Sequence, residues 1–95
     1  MAGATVETDF VEWYRAAWPR VVRAVVLFTG DPDDAADIAA EACARAFARW
    51  GGPDRPADPM TWVVVVALNL AKKQWRREAL GRPERVWDGK RSVGL

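Results

Sequence analysis

Hydrophobic residues recur at three- and four-residue intervals in three separate segments of the chain, which is the spacing of amphipathic helices. In the first predicted helix we interpret Asp9 and Glu12 as a capping pair and Gly30, which readily adopts positive φ, as the end. We expect Pro19 to kink or restart this helix, because its ring removes one backbone hydrogen bond. The apolar positions of this helix are Phe10, Tyr14, Ala17, Val21, Val25 and Phe28.

A second helix is predicted from Pro32 to about Trp50. Asp31 is suited to its N-cap, and acidic residues in its first turn complement the helix dipole. Its many alanines would allow neighbouring helices to approach closely. Its apolar positions are Ala35, Ile38, Ala39, Ala42, Ala46, Phe47 and Trp50. Its charged positions on the other side are Asp34, Asp37, Glu41, Arg45 and Arg49, among which Glu41 and Arg45 have the spacing of an i,i+4 ion pair.

The third segment, around which the rest of the chain is organised, reads DPMTWVVVVALNLAKKQWRRE from Asp58 to Glu78. Asp58 can cap a helix and Pro59 suits its first position. A helix from Pro59 to about Ala79 would span roughly 30 Å. Its first half is almost wholly apolar, and its second half carries four cations and a tryptophan. We therefore expect one helix with a buried half and a cationic half, although a run of four valines alone would favour a strand.

Together these segments predict an all-α domain of three helices over residues 1–80. Residues 51–58, half of them Gly or Pro, are predicted to be a loop. Residues 81–95 have no apolar period and contain spaced glycines, and we interpret them as a flexible tail or the start of a linker.

Composition excludes most enzyme chemistry. The 95 residues suffice for one small domain with a single core. With one cysteine and no histidine, the chain can form no internal disulfide, zinc cluster or histidine acid/base pair. We therefore expect neither an enzyme nor a metal or other cofactor, and we interpret Cys43 as a small buried hydrophobic residue. The N-terminus lacks signal-peptide features and the apolar run from Met60 to Ala71 is too short to cross a bilayer, which predicts a cytoplasmic protein without membrane insertion.

The charge is distributed unevenly along the chain. Residues 1–71 contain six arginines and ten acidic residues, a net charge of −4, whereas residues 72–95 contain eight basic and three acidic residues, a net charge of +5. An acidic N-terminal part and a basic C-terminal part suggest two different partners. The basic cluster suits nucleic acid, because cations neutralise phosphates and aromatic rings stack on unpaired bases. The alternative is that cations simply complement the C-terminal end of a helix and keep it soluble.

Two motifs stand in a recognisable order. The pattern D-D-A-x-D-I-x-x-E runs from Asp33 to Glu41, and T-W-x-x-x-x-A-x-N-x-A runs from Thr61 to Ala71. From about Asp9 to Glu78 the chain resembles region 2 of the sigma-70 family of bacterial transcription initiation factors, in particular the extracytoplasmic-function group.

This resemblance implies a domain that docks on the coiled coil of the RNA polymerase β′ subunit and recognises and melts the promoter minus-ten element. It also implies an anti-sigma factor as a regulatory partner. The positions that match polymerase-facing residues are Asp34, Asp37, Glu41 and Arg45. The positions that match the face for promoter DNA, in particular the minus-ten non-template strand, are Trp62, Asn69, Lys72, Lys73, Arg76 and Arg77.

The chain departs from the family pattern at several positions. It has Ala40 where glutamine is common, Val65 where a polar residue is common and Lys73 where aspartate is frequent, and its loop lacks the usual aromatic residue. Nothing resembles the family's domain for the minus-thirty-five element, so we interpret the chain as an excised domain or a single-domain member. The changes at Ala40 and Val65 favour a rival interpretation, a degenerate sigma-like module that binds polymerase or an anti-sigma factor without reading DNA.

Three side chains of the third segment leave alternatives open. Trp62 could brace a melted strand or belong to the core, whereas Trp75, flanked by polar residues, is the better candidate for exposure. Asn69 lies inside the apolar run, so if it is buried it needs a backbone group, a water molecule or a base as its partner.

Overall fold

The computed structural model describes the backbone of residues 2–81 and the side chains of residues 5–80. It consists of helices α1 (Ala2–Thr29), α2 (Pro32–Arg49) and α3 (Pro59–Gly81), and no strand occurs within residues 2–81. The predicted all-α class is confirmed, and the valine run lies inside a helix. The predicted tail stays a prediction, because residues 82–95 lie outside the described part of the chain.

The start of α1 differs from the prediction. The helix begins at Ala2, seven residues before Asp9, so the proposed capping pair of Asp9 and Glu12 is wrong. The cause is packing, because Val6 lies about one turn ahead of Phe10 and both pack against the core. A Cβ added to Gly51 would lie 3.3 Å from a methyl carbon of Val6, which shows how closely this first part of α1 meets the end of α2.

Helix α1 also continues through Pro19 without restarting. Pro19 and Arg15 are both exposed, so water can reach the Arg15 carbonyl that the proline ring leaves without its helical donor. The helix ends where the sequence predicts, at Gly30, whose φ is 74°. The Gly30 N–H donates to the Val26 carbonyl at 2.7 Å, which is the hydrogen bond of a left-handed helix cap.

The predicted N-caps of α2 and α3 are confirmed. The Asp31 carboxylate accepts hydrogen bonds from the backbone N–H groups of Asp33 at 2.9 Å and Asp34 at 3.2 Å, so it satisfies donors that α2 leaves free. The Asp58 carboxylate accepts the Thr61 N–H at 3.3 Å and the Thr61 hydroxyl at 2.8 Å. These hydrogen bonds from Thr61 lower the pKa of Asp58 below its ordinary value.

The core lies between three mutually packed helices and consists mainly of small side chains. Cys43 belongs to it, as predicted, and burial raises the pKa of its thiol to about 11. Two predicted core positions are wrong, because Phe28 is 49% exposed and Phe47 is 42% exposed. The buried hydrophobic residues are Ala17, Val21, Val25, Ala35, Ile38, Ala39, Ala42, Cys43, Ala46, Trp50, Val63, Ala67 and Ala71.

Large rings are concentrated where α1 begins and α2 ends. The ring of Phe10 lies 4.9 Å from that of Phe47 and 5.1 Å from that of Trp50, and Trp13 lies 5.3 Å from Trp50, all between centroids. Trp50 is 2% exposed, and its indole N–H has no partner among the described residues. We call Phe10, Trp13, Phe47 and Trp50 the aromatic end.

Contacts between α2 and α3 show that the two helices run antiparallel. The guanidinium of Arg49, at the end of α2, lies 5.3 Å from the ring centre of Trp62, near the start of α3. At the opposite end, Glu78 is close enough to Asp34 to act on its carboxylate. This register places the charged side of α2 beside the cationic half of α3.

Candidate functional site

One face of α2 carries the residues that the resemblance assigns to a protein partner. Asp34, Asp37, Glu41 and Arg45 follow one another at intervals of three or four residues, so they lie on one side of the helix. The Arg45 Nε–H donates to Glu41 Oε2 at 3.1 Å, which confirms the predicted ion pair. Asp37, Glu41 and Arg45 are exposed and Asp34 is half-buried. We call these four residues the acidic stripe.

Negative charge accumulates at the start of this stripe. Partial burial raises the pKa of Asp34, and repulsion from four neighbouring carboxylates raises it further. The neighbours, in decreasing order of effect, are Asp31, Glu78, Asp37 and Asp33. A cationic group brought close to Asp34 would relieve this repulsion, so the start of α2 is electrostatically suited to a basic partner.

The cationic half of α3 presents all four of its charges to solvent. Lys72, Lys73, Arg76 and Arg77 are exposed, and none of them forms an ion pair within residues 5–80. They fall into two rows, because Lys72 and Arg76 are one turn apart and so are Lys73 and Arg77. The predicted cluster is therefore brought together at one end of α3, in two rows that face different directions, and none of its charges is paired within residues 5–80.

The row of Lys72 and Arg76 continues towards the start of α3. Asn69 and Val65 lie on successive turns before it, and both are exposed. We call Val65, Asn69, Lys72 and Arg76 the outer face. Because the Asn69 amide is exposed, water can satisfy it, and its place in the apolar run requires no buried partner.

The row of Lys73 and Arg77 faces α2 instead. It lines a groove of about 290 Å³ between the two helices, which also includes most of the acidic stripe. This α2–α3 groove is lined by Asp37, Ile38, Glu41, Arg45, Leu70, Lys73, Gln74 and Arg77. The sequence assigned these charged residues to two separate surfaces, and the structure brings half of the α3 cations beside the acids of α2.

The two tryptophans of α3 have different environments. Trp62 is half-buried and packs against the core, and the Arg49 guanidinium lies over its ring. Its contact with a melted strand stays a prediction. Trp75 is 69% exposed, as predicted. Sequence reasoning did not assign Arg49 to a site, although it follows Arg45 by one turn on the charged side of α2. The spacing of Arg49 from Arg45 points to a contact with Trp62 only when the end of α2 is known to lie beside the start of α3.

Within residues 2–81, no helix has the length and apolar character that a membrane span requires.

Comparison with family models identifies a known domain in this chain. A model described as Sigma-70 region 2 matches residues 13–80. The matched segment begins inside α1, ends one residue before the end of α3 and contains the acidic stripe, the outer face and the α2–α3 groove. Comparisons with curated proteins and with solved structures give no match.

Proposed function

Because the chain belongs to the Sigma-70 region 2 family, a family of non-enzymatic transcription initiation domains, we propose that it docks on RNA polymerase core and holds open promoter DNA. Family membership carries a role in polymerase binding and promoter recognition. The finer proposal assigns the acidic stripe to the coiled coil of the β′ subunit. It assigns the outer face to the non-template strand of the minus-ten element, in a sigma factor of the extracytoplasmic-function group.

The observation that carries the DNA assignment is the unpaired charge on α3. Lys72 and Arg76 point into solvent one turn apart, next to the exposed amide of Asn69. Cations in such a row can neutralise successive phosphates, and the amide can hydrogen-bond to a base. The half-buried ring of Trp62 lies near the start of the same helix, where an unpaired base could stack on it.

Strand opening follows from a difference in affinity. A protein that binds duplex and opened DNA equally well does not change the equilibrium between the two forms. Contacts that exist only with separated strands, such as stacking on an aromatic ring or hydrogen bonding to an unpaired base edge, shift the equilibrium towards the open form. Melting therefore needs no chemical step and no cofactor in this proposal.

The docking assignment is supported by the acidic stripe. Its carboxylates lie on one exposed face of α2, and repulsion among the acids at the start of that helix favours an approaching cation. Charges of this kind mainly steer association and fix orientation. In this proposal the chain acts in the cytoplasm, where polymerase and promoter DNA are found, and an anti-sigma factor regulates it by covering the same faces.

The DNA assignment is tested with the full chain bound to polymerase core. The affinity for a fluorescent minus-ten non-template single strand is measured by anisotropy at saturating core. We expect Lys72→Ala with Arg76→Ala to weaken binding about tenfold, because two phosphate contacts are lost. The matched control is Arg20→Ala with Arg23→Ala, which removes two exposed cations from α1. If the α3 variant binds the strand as tightly as the control does, the DNA assignment is wrong.

A second candidate function is a sigma-like module that binds proteins without reading DNA. The observation that favours it is Val65, which is 50% exposed at the end of the outer face nearest the start of α3, where an apolar group would suit a protein partner. The same DNA measurement separates the candidates. A module of this kind would bind polymerase core normally while neither the wild type nor the variant binds the single strand.

A further inference from the structure

We infer that the four α3 cations serve two different partners: Lys72 and Arg76 contact DNA, whereas Lys73 and Arg77 form one wall of a groove that receives a mixed-charge helix of polymerase core. This inference deepens the proposed function and rests on it. The α2–α3 groove is then the docking site as a whole, and the acidic stripe is only one of its walls.

The geometry of α3 separates the two pairs. Neighbouring residues of a helix point about 100° apart, so the row of Lys73 and Arg77 is turned away from the row of Lys72 and Arg76. Of the four α3 cations, only Lys73 and Arg77 line the groove of about 290 Å³, together with Leu70 and Gln74 on the same helix. Lys72 and Arg76 remain on the outer face, clear of α2.

The walls of the groove carry opposite charges that do not neutralise each other. The α2 side is lined by Asp37 and by the Glu41–Arg45 pair, and the α3 side is lined by Lys73 and Arg77. Within the described side chains, no ion pair crosses the groove, and Glu41 pairs instead with Arg45 on its own helix. Asp37, Lys73 and Arg77 are therefore available to a ligand that lies between the walls, whereas Glu41 already has Arg45 as its partner.

These charges also make the groove a poor place for DNA. A phosphate that approached Lys73 or Arg77 there would meet the carboxylates of Asp37 and Glu41 on the facing wall. The outer face itself contains no carboxylate, because Asn69 and Val65 are the residues that accompany its two cations. Phosphate is thus favoured beside Lys72 and Arg76 and opposed beside Lys73 and Arg77.

The same arrangement specifies the chemistry of the occupant. Ile38 and Leu70 add apolar surface between the charged walls. A helix that presents an apolar ridge, with basic side chains towards α2 and acidic side chains towards α3, would match all three features. A purely basic helix would pair with the acids but would be repelled by Lys73 and Arg77, so the sign of their effect on docking distinguishes the two possibilities.

The experiment compares two variants of the full chain that each lose two cations one turn apart on the same helix. The first is Lys73→Ala with Arg77→Ala, and the second is Lys72→Ala with Arg76→Ala. Affinity for purified polymerase core is measured with labelled chain, and affinity for the minus-ten single strand is measured at saturating core. Circular dichroism confirms that both variants are folded, as expected for exposed positions.

We expect Lys73→Ala with Arg77→Ala to weaken core binding about fivefold to tenfold and to change DNA binding less than twofold. Lys72→Ala with Arg76→Ala should weaken DNA binding about tenfold and change core binding less than twofold. Core binding that is unchanged or tighter after loss of Lys73 and Arg77 would overturn the inference.

A third variant, Asp37→Ala with Glu41→Ala, shows whether only the two-walled groove is wrong or whether docking on the acidic stripe is wrong as well. If it weakens core binding while loss of Lys73 and Arg77 does not, docking on the acidic stripe stands and the two-walled groove is wrong. If it leaves core binding unchanged, both the docking assignment and the inference are wrong.

Discussion

The two ends of the helix bundle are built from different kinds of side chain. At the aromatic end, Phe10 and Trp50 pack ring against ring at a centroid distance of 5.1 Å. At the other end, where α2 begins and α3 finishes, the buried residues are small, such as Val25 and Ala35. We call this second region the charged end, because the repelled carboxylate of Asp34 and the unpaired cations of α3 lie there.

The difference between the two ends shows how a small domain can carry many charged side chains that form no ion pairs with one another. Buried aromatic area contributes much of the stability per residue, and here it is concentrated at the end of the bundle opposite the cationic half of α3. At the charged end, small side chains such as Ala35 fill the space between α1 and α2. The long charged side chains are not needed in the core there and remain at the surface. We therefore expect stability and binding to respond to mutations at opposite ends.

The largest effect is expected at the aromatic end. Trp50→Ala should lower the free energy of unfolding by roughly 3–5 kcal/mol, because it leaves a cavity beside the rings of Phe10 and Trp13. Trp50→Phe should cost less, since it keeps a ring and removes an indole N–H that has no partner among the described residues. Urea denaturation followed by circular dichroism measures both changes.

The matched control for this prediction lies on the cationic half of α3. Trp75→Ala removes the same side chain from a position that is 69% exposed, and it should change the free energy of unfolding by less than about 0.5 kcal/mol. If Trp75→Ala destabilises the chain as much as Trp50→Ala does, the contrast between the two ends is wrong.

The next effect concerns the core that joins the two ends. Burial raises the pKa of the Cys43 thiol from 9.0 to about 11, so the thiolate fraction near pH 8 falls about 100-fold. A thiol-specific reagent should therefore label the native chain at least that much more slowly than the chain in urea. Equal labelling rates under the two conditions would show that this part of α2 is not packed as described.

A smaller effect, about tenfold in affinity, is expected for docking at the acidic stripe. Asp37→Ala with Glu41→Ala should weaken binding to polymerase core by that amount while leaving stability almost unchanged, because both residues are exposed. The control is Asp9→Ala with Glu12→Ala, which removes the same charge from exposed positions of α1. Equal recovery of polymerase core with the two variants would contradict the docking face.

The smallest effect concerns acid sensitivity at the start of α3. The pKa of Asp58 is lowered on folding by its hydrogen bonds from Thr61, so its contribution to stability is complete above its ordinary pKa of 3.8 and is lost as the pH falls below it. Asp58→Asn keeps a capping side chain without that titration. The melting temperature of this variant should therefore fall less than that of the wild type between pH 6 and pH 3.

Asp54→Asn is the control for this titration, since Asp54 lies in the same loop and caps no helix among the described residues. It should follow the pH dependence of the wild type. If Asp58→Asn loses as much stability in acid as the wild type does, the Asp58 carboxylate makes no pH-dependent contribution to the stability of the chain.

The sequence was most informative where structure is local. The caps at Asp31 and Asp58 and the end of α1 at Gly30 depend on neighbours within a few residues, and all three are found as predicted. The start of α1 depends on distant partners, because its early turns are held by contacts such as that of Val6 with Gly51. The apolar period did extend back to Val6, so part of the signal was present.

The site was predictable residue by residue but not as a surface. The spacing alone placed the acids on one side of α2 and the cations in the second half of α3. Whether Lys73 faces Glu41 or solvent depends on the register and rotation of α3 against α2, which no local pattern encodes. The same reason explains why Arg49 was missed and why Phe47, a member of the apolar stripe of α2, is 42% exposed.

The central claim is that α2 touches polymerase while the outer face of α3 touches DNA, and cross-linking in the assembled complex tests it most directly. A photoreactive phenylalanine analogue replaces either Ala44, exposed on α2, or Val65 on the outer face. After irradiation with core and promoter DNA, the probe at position 44 should label the β′ subunit, and the probe at position 65 should label the minus-ten non-template strand. Labelling of protein alone from position 65, or of DNA from position 44, would contradict the account.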